Sequence, residues 1–300
     1  QKLFERIKFV WENRANEDLN NEQLRLLEKK YVAFVRSGAN LNETEKQRLR
    51  EINERSSLLT LQFGQNVLAE TNGFELLITS EEYLDGLPNS LRTAAAEEAA
   101  AAGHENAWLF TLNNPSVMPF LQYSSNRELR KKIWNAYQLR GNNGDEKDNN
   151  AIIRELVNLR KEKAFLLGYD NHAAFKLEQS MAGSPEEVMT FLHQLWKPAL
   201  AKAKVERDEI AKMMKSDGVN DAPQPYDWRY YAERIRKAKF DLDEDEIKPY
   251  FSLDNVQKGI FDLCDKLFGL QFERRSEIVG YHDEMVAYEV KEKDGSHVGI

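Results

Sequence analysis

The chain has 300 residues, of which 41% are hydrophobic, so it can bury a sizeable core and is not expected to be disordered. Its 42 basic and 50 acidic residues are spread along the chain and give a net charge of -8, which argues against nucleic acid as the main partner. No long apolar run predicts a membrane span, and the single cysteine, Cys264, excludes a disulfide framework and favours a reducing, cytoplasmic location.

Helical periodicity dominates the chain. A long helix is predicted to begin after Asn42, whose side chain can cap it together with Glu45. Its core-facing stripe consists of Leu49, Ile52, Leu59, Phe63 and Val67. Further helices are predicted at about 2–14, 21–36, 88–102, 126–140, 150–167 and 227–239. Two short strands, Phe74–Thr79 and Trp108–Leu112, are predicted to pair with each other.

Two more helices are predicted in the second half. One begins at Ser184, with Pro185 in the first turn and Glu187 as capping partner, and Pro198 is expected to kink or end it. Its predicted core-facing residues are Val188, Phe191, Leu192 and Leu195, and His193 and Trp196 also fall at core spacing. The other carries an apolar stripe of Val256, Ile260, Leu263 and Leu267, places Cys264 on that face as a core thiol, and stops at Gly269.

A β-hairpin is predicted at the end of the sequence. Residues 286–290 alternate apolar and polar side chains, Asp294-Gly295 supplies the turn, and a return strand starts at His297. Because this strand has only four residues, the chain is expected to stop short of the end of a longer polypeptide. The predicted fold class is therefore mainly α: a multi-helix lobe with a few short strands and a small C-terminal hairpin. The predicted domains are 1–220, the helical lobe with the strand pair near 74–112, and 221–300, with the polar loop at 216–224 as the joint.

No catalytic or metal-ligating residue is predicted from the motifs. The five histidines never recur with three residues between them, so the zinc motif His-Glu-x-x-His is absent, and the nearest approach, His104-Glu105, has Trp108 where the second histidine would be. Asp241, Asp243 and Asp245 begin like a calcium loop, but Glu246 and Ser252 occupy its key positions, so a solvated acidic turn is predicted instead. The stretch 295–299 has its serine one place early for a nucleophile elbow and is predicted to be a turn.

A series of short motifs nevertheless resembles one enzyme family. The stretch Phe63–Asn72, which ends the long helix, is very similar to the corresponding stretch of dipeptidyl carboxypeptidases in the thimet oligopeptidase family of zinc metallopeptidases. Further matching landmarks follow in the same order: Phe34–Ala39, Leu84–Pro88, Asn126–Arg130, Ala136–Tyr137, Leu166–Tyr169, Met181–Ala182, Asp227–Tyr231, Pro249–Phe251, Leu267–Leu270 and Asp294–His297.

The resemblance implies two helical lobes around a deep channel that admits short peptides. It also implies that dipeptides are cleaved from the free C termini of these peptides. It implies zinc as the cofactor, held by His-Glu-x-x-His and a later glutamate, with the motif glutamate activating a zinc-bound water. Because these ligands are absent here, the chain is expected to bind no zinc, to be inactive alone and to act with the rest of its own catalytic polypeptide. The resemblance also implies that family residues precede Gln1, so the chain is expected to be an internal fragment. The gene should encode the zinc motif within roughly a hundred residues after Ile300.

Two questions stay open at this point. His297 and Gly299 either approach the substrate from a small sheet beside the cleft or belong to a purely structural hairpin. The alternative function is a non-catalytic helical interaction or scaffold protein, which the residue content taken alone would favour.

Overall fold

The computed structural model describes residues 1–240 and 244–300, and helices predominate in them, as predicted. The side chains of the acidic turn, Asp241, Asp243 and Asp245, lie outside this description. The helices are α1 (Lys2–Asn13), α2 (Asn21–Arg36), α3 (Glu43–Gly73), α4 (Asn89–Ala101), α5 (Asn114–Tyr123), α6 (Arg127–Gln138), α7 (Asn150–Leu166), α8 (His172–Leu177), α9 (Pro185–Ser216), α10 (Pro225–Phe240), α11 (Glu244–Ile247) and α12 (Leu253–Phe268). The strands are β1 (Leu76–Ile78), β2 (Trp108–Phe110), β3 (Gln271–Arg274), β4 (Tyr288–Lys291) and β5 (His297–Gly299).

The described residues form two compact units, Gln1–Glu233 and Arg234–Ile300. The predicted division into 1–220 and 221–300 stays a prediction.

The long helix α3 begins as its sequence predicts, and part of its predicted stripe is buried. Asn42 and Glu45 form a reciprocal capping box, in which each side chain accepts the backbone N–H of the other residue at 2.9 and 3.0 Å. Leu49, Ile52 and Leu59 are buried, but the predicted burial of Phe63 is wrong, since it is exposed, and Val67 is only half-buried. Ile52 and Leu59 share a core cluster with α7 residues Ile152, Leu156 and Leu159.

The main core of the first unit surrounds the predicted strand pair, which is confirmed. Strands β1 and β2 are antiparallel, with Leu76 opposite Phe110 and Ile78 opposite Trp108. Phe110 packs against Phe120 of α5, with ring centroids 4.6 Å apart. Buried residues from β1, β2 and helices α4 to α6 complete this cluster. Helix α5 was not predicted, because it is short and contains Pro119.

Gly86 lets the loop before α4 dock on the end of α5. Its φ of +81° lies in the left-handed region, and a Cβ there would stand 2.2 Å from the carbonyl oxygen of Tyr123. The neighbouring backbone is fixed by the N–H of Ser125, which donates to the carbonyl of Asp85 at 3.0 Å. The landmark Leu84–Pro88 therefore requires glycine for two separate physical reasons.

Gly86→Ala should lower the free energy of unfolding by about 2–4 kcal/mol, because left-handed strain and a backbone clash add. Gly144→Ala is the matched control, since Gly144 also has positive φ (+70°) but a Cβ there would meet no heavy atom within 4 Å. That control should cost only about 1–2 kcal/mol. Equal losses for the two variants in urea unfolding would show that the contact with Tyr123 carries no cost.

The predicted burial of the α9 apolar residues is wrong. Val188 is half-buried, but Phe191, Leu192 and Leu195 are exposed, as are His193 and Trp196. Helix α9 also continues through Pro198 to Ser216, so this proline does not end it. Helical spacing shows which side chains share a face, but burial also needs a partner for that face.

Helix α12 shows the same difference. It ends at Gly269, whose φ of +75° gives the left-handed cap that was predicted. Its stripe of Val256, Ile260, Leu263 and Leu267 is exposed, however, and Cys264 is only half-buried, so the predicted core thiol is wrong.

Candidate functional site

The C-terminal hairpin belongs to a three-stranded antiparallel sheet in the order β3-β4-β5. The predicted turn is confirmed: Gly295 has a φ of +86°, and the N–H of Ser296 donates to the Asp294 side chain at 2.9 Å. Strand β3 was missed from the sequence, because a four-residue strand with three polar side chains gives little periodic signal. This sheet is the part of the second unit that contains both predicted substrate-facing residues.

The two faces of the sheet differ in chemistry. On one face, Phe261 of α12 stacks on Phe272 at 4.2 Å and meets Tyr288 edge-on at 5.0 Å. The opposite face carries Glu273, Glu289, Lys291 and His297, which ladder pairing and alternation place together. The apolar face thus fixes the sheet on its helix and leaves the charged face with His297 available for polar contacts.

Glu289 is the centre of the charged face. It is paired with Arg275, lies 3.5 Å from the Nζ of Lys291, and its Oε1 lies 3.0 Å from Nδ1 of His297. The hydrogen bond with His297 lowers the pKa of Glu289, and the positive charges of Lys291 and Arg275 lower it further. Desolvation raises this pKa but does not outweigh them. Glu289 therefore stays ionised at neutral pH and orients the imidazole through Nδ1, which leaves Nε2 for another partner.

Strand β5 is the outer strand at its end of the sheet. His297 lies opposite Lys291 and Gly299 opposite Val290, with a register shift that leaves Val298 between the two pairs. His297 is exposed, and a Cβ at Gly299 would have no heavy atom within 4 Å. An outer strand with one small residue can accept an extended peptide alongside it.

Other landmarks of the resemblance explain contacts within the first unit. In the stretch Phe63–Asn72, Asn66 donates to the side chain of Asn149 at 2.9 Å, and Glu70 accepts the backbone N–H of Gly141 at 2.6 Å. Asn149 is buried and donates back to the carbonyl of Phe63 at 3.2 Å. This motif therefore anchors the loop before α7, a structural role that the sequence did not reveal.

Two further landmarks meet in a buried ion cluster. Asp227 bonds Nη2 of Arg127 at 2.9 Å and Nη2 of Arg130 at 3.1 Å, and Arg130 lies 4.2 Å from the ring centroid of Tyr230. Arg130 and Asp227 are 1% and 0% exposed. Burial lowers the pKa of Arg130, although the hydrogen bond with Asp227 acts to raise it. The hydrogen bond with Asp227 raises the pKa of Arg127. These ion pairs thus connect the segments Asn126–Arg130 and Asp227–Tyr231, and their role is structural.

More than half of the chain matches a known protein family. Residues 120–300 match the sequence model of Peptidase family M3. The chain belongs to this family.

Several curated relatives match almost the whole chain. Dipeptidyl carboxypeptidases of Salmonella typhimurium and Escherichia coli are each 35% identical over 98% of this chain and 43% of their own length. Organellar oligopeptidase A of Arabidopsis thaliana is 32% identical over 99% of this chain and 38% of its own length. The chain therefore spans less than half the length of these relatives, and the resemblance to this family is confirmed.

The M3 family consists of zinc-dependent metallopeptidases, so the donor groups of this chain can be tested against that metal. Among the side chains of residues 1–240 and 246–300, no group of three histidine, cysteine or acidic residues could hold a metal ion. The histidines lie on separate elements: His104 after α4, His172 on α8, His193 on α9, His282 between β3 and β4, and His297 on β5. The described side chains do not fit a zinc site, and no catalytic step through zinc is assigned to them.

A search of the described helices for a membrane-spanning segment finds none.

Proposed function

We propose that this chain forms the helical, channel-shaping part of a zinc-dependent peptidyl-dipeptidase that hydrolyses short peptides and releases C-terminal dipeptides. The observation that carries this proposal is the 35% identity over 98% of the chain to proteins named dipeptidyl carboxypeptidase. In this proposal the zinc ligands come from elsewhere in the same polypeptide, and the 300 residues alone bind no zinc and are inactive. The single cysteine supports a cytoplasmic location.

Within this function, we assign β5 to the substrate side of the sheet. An extended peptide beside β5 would pair with its backbone, and Gly299 would allow close approach because it has no side chain. His297, held through Nδ1 by Glu289 at 3.0 Å, would offer Nε2 to a peptide group. His297 and Gly299 are therefore the proposed peptide-contacting residues of this chain.

The test uses the full polypeptide encoded by the gene and a short peptide with a free C terminus. Gly299→Val and His297→Ala should each raise KM for dipeptide release about tenfold and change kcat by less than about twofold, because only substrate binding is lost. His282→Ala is the matched control, since it removes an exposed imidazole from the same unit without touching β5. Unchanged KM in both β5 variants would show that the hairpin is purely structural.

Two other results bear on the function itself. Absence of dipeptide release by the full polypeptide, with zinc supplied, would favour the scaffold alternative. Stoichiometric zinc in the 300-residue chain after dialysis, measured by metal analysis, would contradict the assignment of the ligands to other residues.

A further inference from the structure

The first half of α9 carries a broad apolar face that is exposed in the described chain. Six large side chains form this surface, here called the α9 face: Met189, Phe191, Leu192, Leu195, Trp196 and Leu200. Their exposed fractions lie between 38% and 64%. Exposed apolar patches rimmed by polar residues are typical of interaction sites.

Helix geometry shows that the α9 face is organised. At about 100° per residue, its six side chains fall within roughly half of the helix circumference. Thr190, Gln194 and Lys197 lie on the other half. This division into an apolar and a polar side is the pattern of a helix that packs against a partner.

Helix α9 also lacks internal support over this stretch in the described residues. Every residue from 189 to 205 is exposed, and the first fully buried side chain after it is Ile210, followed by Met214. Pro198 lies inside this stretch and removes one backbone hydrogen bond. Isolated helices are marginal in water and depend on packing of their apolar face. A continuous α9 therefore needs a partner along residues 189–205.

We infer that the α9 face is the docking surface for an amphipathic helix from a part of the same polypeptide outside residues 1–300. The inference rests on the proposed function, because it takes this chain as part of a longer peptidase. The dipeptidyl carboxypeptidases that it matches are more than twice as long as the aligned region, so a polypeptide of their length would have a further segment to supply the partner. A segment of the same polypeptide also has a high effective concentration, which favours it over a second copy.

Hydroxyl-radical footprinting with mass spectrometry tests this surface directly. Met189 and Trp196 should be modified at least about tenfold more slowly in the full polypeptide than in the 300-residue chain, because the docked helix excludes solvent from them. Leu195→Glu in the full polypeptide should restore their modification rate, since a buried charge opposes docking. Gln194→Glu, the matched control on the polar side of α9, should leave the slow rate unchanged.

The outcomes separate the possible occupants. Equal modification rates in the two proteins would overturn the inference. Protection that depends on protein concentration, with a dimer in sedimentation that Leu195→Glu dissociates, would overturn it in favour of a second copy. Peptide hydrolysis with an unprotected α9 face would leave the proposed function standing, whereas a protected face without hydrolysis would contradict only that function.

Discussion

Asp227→Ala should lower the free energy of unfolding of the first unit by about 3–5 kcal/mol. Asp227 is 0% exposed and receives hydrogen bonds from Arg127 at 2.9 and 3.0 Å and from Arg130 at 3.1 Å. Its removal leaves the guanidinium of Arg130, which is 1% exposed, buried without its counter-charge. Arg130 would keep carbonyl partners, such as Ser124 at 2.8 Å, and the ring of Tyr230, but these carry no counter-charge. Urea unfolding followed by circular dichroism measures the loss.

Asp221→Ala provides the matched control for this prediction. Asp221 also pairs with Arg127, at 2.7 Å, but its side chain is 69% exposed. Its removal should therefore cost less than about 1 kcal/mol, because water solvates the remaining charge. Similar losses for the two variants would contradict the idea that burial makes the Asp227 cluster costly to break.

The same cluster should make the free energy of unfolding depend on pH in the acidic range. Burial raises the pKa of Asp227, but hydrogen bonds from Arg127, the backbone of Gln224 and Arg130 outweigh it, so the folded pKa lies below the usual 3.8. The stabilisation is therefore fully present above about pH 4 and is lost as the pH falls through the folded value. The difference in stability between the natural chain and Asp227→Ala should shrink in that acidic range.

Phe120→Ala should lower the free energy of unfolding by about 3–5 kcal/mol, because it removes a fully buried ring and leaves a cavity. Phe120 is 0% exposed and packs on Phe110, which is also 0% exposed, at 4.6 Å. The pair joins α5 to the β1–β2 ladder, so the loss should affect the whole first core. Thermal and urea unfolding should both show it.

Phe9→Ala is the corresponding control, because the same ring is removed from a position in α1 that is 64% exposed. Its effect should stay within about 0.5 kcal/mol. If Phe120→Ala also falls in that range, the aromatic pair is not part of a packed core.

The local structure was largely predictable from the sequence. The capping box of Asn42 and Glu45, the left-handed stop at Gly269 and the Asp294-Gly295 turn were all predicted and are present. Each depends on groups within a few residues of one another, so a short stretch of sequence contains the information needed. The order of short motifs also indicated the peptidase family before any fold was known.

The candidate site was only partly predictable. The sequence indicated β4, the turn and His297, but it did not indicate that β3 completes the sheet or that Glu289 holds the imidazole. Those contacts depend on strand register, which pairing across the sheet decides.

The amino-acid sequence by itself determined where helices start and stop, which apolar residues share a helix face, and which family the chain resembles. Only the tertiary structure decided which faces are buried: Ile52 packs against α7, whereas Leu195 stays exposed in the described part of the chain. It also joined Arg130 to Asp227 across about a hundred positions. The physical reason is that periodicity reports local geometry, whereas burial and ion pairing depend on which distant segment packs against each face.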